Sequence, residues 1–152
     1  MARRLVEAGV RWVTLSFESW ERHGETFERL PEQLAKFDQG ITALVEDLHI
    51  RGLDQDVSVV ACSEFGRTPW INPGGGQDHW PQASCALLAG GSMRMGQVIG
   101  WTNRLGKVAQ DRPIRYQKFS RRCINNWGLM SERRRFRITA GDRTICWIIS
   151  QW

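Results

Sequence analysis

Apolar positions along the chain switch period several times. Residues 2–8 read as the end of a helix, closed by Gly9 in the C′ position. "VRWVTLSF", residues 10–17, is β-branched and aromatic with partial alternation, which predicts a strand. "ESWERHGET", residues 18–26, is a polar loop. From Pro31, "PEQLAKFDQGITALVEDLHIRG" sets Leu34, Phe37, Ile41, Leu44, Val45 and Leu48 on one face at helical spacing. A helix over about 31–51 follows, with Pro31 in its first turn and Gly52 ending it. "DVSVVACS" is a second strand, "ASCALLAGG" a third apolar run and "GQVIGWT" a short fourth.

Strand, long helix, strand is a βαβ unit. Near-continuous apolar strands of this kind belong to a parallel sheet flanked by helices, so the expected fold class is α/β. Ligands in such sheets bind at the carboxyl ends of the strands. The polar segments 18–26 and 63–81 both follow strands, so they are expected at one edge of the sheet.

The second of these segments, "SEFGRTPWINPGGGQDHWP", is rich in ionisable groups for a loop that leaves a core strand. Together the two loops offer Glu21 and His23, then Glu64, Arg67, Asp78 and His79. Carboxylates mixed with imidazoles are oxygen and nitrogen donors without thiolate, the ligand chemistry of a zinc or similar divalent site. Gly74, Gly75 and Gly76 let the backbone fold tightly enough for Asp78 and His79 to return toward Glu64. Arg67 presents a planar fork suited to phosphate or sulfate. Each residue also has a plainer structural role open to it. Glu64 and Arg67 can pair on the surface, His23 can cap its loop, and Asp78 can open a turn. His49 suits the negative end of the long helix, and Trp70 and Trp80 suit packing. Ser63 lacks the G-x-S-x-G surroundings of a nucleophile elbow.

Charge changes the picture only in the tail. The net charge is +5 over 152 residues, yet residues 1–117 hold 13 basic and 14 acidic side chains, whereas 118–152 hold eight and two. A nucleic-acid surface is therefore not expected. A membrane span is not expected either, because no run approaches roughly 18 consecutive apolar residues. The N-terminus lacks the apolar core of a secretory signal, so the chain as written is expected in the cytoplasm. Cys62, Cys85, Cys123 and Cys146 show no C-x-x-C spacing. Cys62 and Cys85 read as small buried hydrophobes.

"SWERHG", "VSVVACSEFGRTPWIN", "GGGQDHWPQASCALLAGGSMRMGQVIGWTN" and "DRPI" together resemble the DUF1501 family. That family belongs to the alkaline phosphatase-like superfamily, with the sulfatases and phosphopentomutase. The resemblance covers roughly residues 2–117. It implies an alkaline phosphatase-like sandwich, with His23, Glu64, Asp78 and His79 as divalent-metal ligands at the sheet edge. Zinc is the metal implied first, with manganese or calcium as alternatives. The implied substrate is a small phosphate or sulfate ester. Two departures stand out. Glu21 occupies the place of the Asp in the family's Trp-Asp-x-His, and its extra methylene displaces that ligand. Family members are longer, and the superfamily nucleophile lies in an N-terminal half with no counterpart here. The expected function is thus that of a fragment of a metal-dependent ester hydrolase-like protein, inactive alone and exported in complete relatives. The alternative is a non-catalytic metal- or anion-binding module.

The likeness fades near Gln117. From Arg122, "RCINNWGLM" can be read in a shifted frame as MYQQLGID, and "RFRITAGDR" as FPDHSGRP, both expected of the family. Residues 118–152 are therefore expected to be an out-of-frame, poorly ordered basic tail.

Overall fold

A computed structural model describes residues 1–20, 23–24, 26–115, 117–119 and 144–151. Helix α1 (Ala2–Glu7) leads to strand β1 (Trp12–Ser19), helix α2 (Thr26–Ile50) and strand β2 (Val57–Cys62). A two-residue hairpin, β3 (Gly66–Arg67) with β4 (His79–Trp80), then precedes β5 (Ala86–Gly90) and β6 (Thr144–Gln151). Helix and strand are mixed, as the α/β expectation requires in its coarse form. The main sheet has the order β1-β6-β2-β5. β6 is parallel to both β1 and β2, while β5 is antiparallel to β2. β1 and β2 therefore point the same way, and their carboxyl ends share one edge.

Both helices end as their glycines dictate. After α1, Gly9 N–H donates to Val6 O and Val10 N–H to Leu5 O; after α2, Gly52 N–H donates to His49 O and Leu53 N–H to Leu48 O. Gly9 and Gly52 have φ of 86° and 67°, the left-handed conformation this closure needs. A ring of charge ties the helices together. Arg3 Nε lies 2.6 Å from Asp47 Oδ2, Arg51 Nε donates to Asp47 Oδ1 at 2.8 Å, and Glu7 pairs with both arginines. Donation from Arg51, with Arg3 assisting, holds the Asp47 carboxyl below its ordinary value. His49, in the last turn of α2, pairs with Asp54 at 2.8 Å.

α2 begins before the expected residue 31, because Thr26–Leu30 contains no breaker. Pro31 thus lies inside the helix, where its ring forfeits the bond to Phe27 O. Of the predicted face, Ile41 and Leu48 are buried and Phe37, Leu44 and Val45 pack against the core. Leu34 is instead 44% exposed. Gln33, one residue earlier, is buried and Leu30 half-buried, so the covered stripe over the first turns of α2 passes through these two and leaves Leu34 to its side. The core joins Ala2, Val6, Val13, Ile41 and Leu48 to Val57, Val59, Ala61 and Ala89. Val60 faces the other way and packs with Trp12, Cys62 and Phe119.

Three further expectations change. Within residues 118–152, expected to be a poorly ordered tail, Thr144–Gln151 forms β6 between β1 and β2. "TICWIISQ" is short, uncharged and β-branched, the composition of a strand inside a parallel sheet. Residues 120–143 and 152 lie outside the described residues. The run "GQVIGWT" is not a strand. Val98 is 94% exposed, and Thr102 makes only an isolated bridge to Ala109. Cys85, expected to be buried, is exposed because it precedes β5 in a loop, while Cys62 at the end of β2 is half-buried. Burial, with the nearby Glu64 charge adding to it, pushes the Cys62 thiol up. Only the thiolate is a good nucleophile. Peptide mapping after brief alkylation at neutral pH should find Cys85 labelled ahead of Cys62. Equal labelling would contradict these placements.

Among the described residues, no helix is long and apolar enough to cross a membrane.

Candidate functional site

The site grows from the edge where β1 and β2 end. Trp20, just beyond β1, is 4% exposed and packs edge-on against Phe37 of α2. Its indole N–H donates to Phe17 O at 2.7 Å. Beyond this anchor, His23 and Gly24 lie against the loop that follows β2. Beyond β2, Ser63 Oγ donates to Phe65 O and opens the hairpin β3–β4, which pairs Arg67 with His79.

The two loops meet. Gly24 bridges Gly75 in antiparallel fashion. Gly76 lies so close that a Cβ there would stand 2.4 Å from the His23 carbonyl carbon, and only glycine permits this approach. His23 Nδ1 lies 3.2 Å from Asp78 Oδ1, with both side chains about half exposed. The rings of His23 and His79 are 5.0 Å apart, and Phe65 lies 4.0 Å from His79 on centroids. Donation from Asn72, followed by contact with His23, holds the Asp78 carboxyl below its ordinary value against the opposing effect of burial.

Three of the expected ligands, His23, Asp78 and His79, therefore gather at one edge. Glu64 is exposed beside Cys62, and nothing places it with the other three. Glu21 lies outside the described residues. Among the described residues, no group of three or more His, Cys, Asp or Glu converges as a ready metal cage. The donor types suit a nitrogen–oxygen site, but Asp78 Oδ1 is engaged by His23 and Asn72. Arg67, expected to bind an anion, donates from Nη1 to Gln77 O at 3.1 Å and from Nη2 to Trp20 O at 3.2 Å. These contacts make it a tie between the loops.

Sequence reasoning missed the residues that hold this edge. Thr68 Oγ1 accepts from the Asp78 N–H and donates to Trp70 O, and Gln77 Nε2 donates to Thr68 O. Asn72 makes four side-chain hydrogen bonds. The Asn-Pro pair at 72–73, a turn signal, could have singled out Asn72. Trp80 pins the exposed segment 101–110 by donating from its indole to Lys107 O at 2.7 Å. Lys107 in turn stands 5.7 Å from the Trp70 ring centroid.

No curated protein and no solved structure matches the chain. A family model described as a protein of unknown function, DUF1501, matches residues 1–146, beyond the limit near Gln117 to which the sequence resemblance extended. The chain belongs to the DUF1501 family.

Proposed function

We propose that this chain is part of a metal-dependent phosphate or sulfate ester hydrolase-like protein, built on an alkaline phosphatase-like sandwich. The observation that carries the reading is the meeting of His23, Asp78 and His79 where the parallel strands β1 and β2 end. Two imidazoles and a carboxylate are donors for zinc, with manganese or calcium as alternatives. A divalent ion there would polarise an ester oxygen and stabilise a leaving group. His23 and His79 would supply nitrogen, and Asp78 its second carboxylate oxygen, with Oδ1 held by Asn72 and His23. Glu64 would join by movement of its exposed loop.

The nearby hydroxyls support the idea that the attacking group comes from elsewhere in a longer protein. Ser63 donates to Phe65 O and Thr68 to Trp70 O, so both are committed to loop structure. On this reading the chain alone binds metal without turning over esters. The alternative is a metal- or anion-binding module without catalysis, which the commitment of Ser63 and Thr68 to loop structure fits equally.

Calorimetric titration with zinc tests the site. Weak, exchangeable binding is expected, fading as pH falls, because a protonated imidazole cannot ligate. Asp78→Ala combined with His79→Ala should abolish the heat. An unaltered isotherm in that double variant, or no heat at millimolar zinc, would sink the reading. Hydrolysis of p-nitrophenyl phosphate and p-nitrophenyl sulfate, measured with zinc on this chain and on any longer product of the same gene, separates hydrolase from binding module.

A further inference from the structure

We infer that Asn72 is the positioning residue of this edge, fixing the Asp78 carboxylate and the His23 loop relative to each other. One carboxamide performs four tasks. Its Nδ2 donates to Asp78 Oδ1 and to His23 O, both at 3.0 Å. Its Oδ1 accepts from the N–H groups of Gly74 and Gly76, again at 3.0 Å each. Its backbone N–H donates to Gly76 O at 2.8 Å, and its carbonyl accepts from Gly75 N–H at 3.0 Å, so the glycine turn closes around it.

A primary amide is the only uncharged side chain of this length with two donors on one atom and two acceptor lone pairs on another. The orientation of the amide follows from its partners. Turned over, it would set its NH2 against two backbone N–H groups and its oxygen against a carboxylate and a carbonyl. Aspartate keeps the acceptor half, loses both donors and adds charge beside Asp78. Glutamine carries the group one methylene too far. The turn and the Asp78–His23 contact are thus built from a single side chain, and they can be separated by substitution.

The role assigned to Asn72 rests on reading His23, Asp78 and His79 as the site, and its test keeps the two apart. Asn72→Asp in the full chain should retain the slow amide exchange of Gly74 and Gly76, since their acceptor remains. The His23 ring signals in a proton–nitrogen correlation spectrum should move toward those of a free histidine. Zinc affinity should fall by about tenfold or more, the range typical when a partner orienting a ligand is lost. An added carboxylate would by charge alone tighten zinc, so a fall is diagnostic. Unchanged His23 signals would overturn the role of Asn72, as would equal or tighter zinc binding by the variant. If the native chain binds no zinc, the metal reading fails, and the His23 signals still decide on Asn72. If the variant does not fold, exchange of the Asn72 side-chain NH2 protons in the native chain decides. Exchange as fast as that of a surface asparagine would overturn the inference, and slow exchange would uphold it.

Discussion

Ending the chain before Thr144 is expected to abolish cooperative unfolding. β6 supplies the ladder partner of β1 from Trp12 to Ser16, and of β2 from Val57 to Cys62. Without it, β1 has no neighbour in the sheet, and β2 keeps only β5. Buried N–H and C=O groups then lose their partners at roughly 1–3 kcal/mol each. A domain of this size has only about 5–15 kcal/mol in total, so a few orphaned groups are enough. Ile148→Pro is a gentler version. Proline cannot donate to the ladder and is confined to edges and bulges in sheets. Urea unfolding followed by circular dichroism is the measurement. A truncated chain with the native midpoint and slope would place β6 outside the stable fold and return the tail to a dispensable role.

The second large effect is expected at Leu48. It is 2% exposed and is part of the core that joins α2 to β2. It also lines a cavity of about 160 Å³, together with Val45, Val59, Ala89 and Met93. Leu48→Ala removes apolar contact and enlarges an existing void, and such changes cost about 2–5 kcal/mol. Leu34→Ala is the control. At 44% exposure, Leu34 should be within about 0.5 kcal/mol of neutral. Similar losses at the two positions would mean that α2 packs through a different face.

The contrast shows what periodicity can and cannot give. Helical spacing found α2 and placed Leu34 and Leu48 on one stripe, because both satisfy the same angular condition. It does not say which flank of that stripe is covered: over the first turns burial falls on Leu30 and Gln33, and Leu34 lies to the side. β1 was legible from its β-branched and aromatic residues in partial alternation and β2 from its nearly unbroken apolar run, and the parallel arrangement followed. β6 was not, because "TICWIISQ" follows a run of arginines that made the whole segment look unlike a fold. "GQVIGWT" failed in the opposite sense. Its composition suits a strand, but among the described residues no neighbour extends the sheet to receive it.

At the candidate site, chemistry was more legible than support. His23, Asp78 and His79 could be picked out by residue type and by the strands they follow. Asn72, Thr68 and Gln77 could not, since short polar residues in a turn look alike until their partners are known. Arg67 has a supporting role that its residue type conceals. A guanidinium reads as an anion receptor from sequence, but two backbone carbonyls, one on each loop, use its terminal nitrogens.

The position of β6 in the sheet also bears on how the molecule reaches its structure. Trp12 and Ile145 are register partners. Because they are separated by some 130 residues of sequence, the pairing has a high contact order, and loop-closure entropy is spent before the contact is rewarded. A ribosome making this chain would expose β1, α2 and β2 well before their common partner emerged. α1, α2 and the β2–β5 hairpin can form early, while β1 and one side of β2 wait with open hydrogen-bonding edges. Such edges recruit other chains. The yield of this protein in a cell should therefore depend on what shields those edges until residue 151 has left the tunnel, and arrest of translation before Thr144 should leave the nascent chain in aggregates or in chaperone complexes.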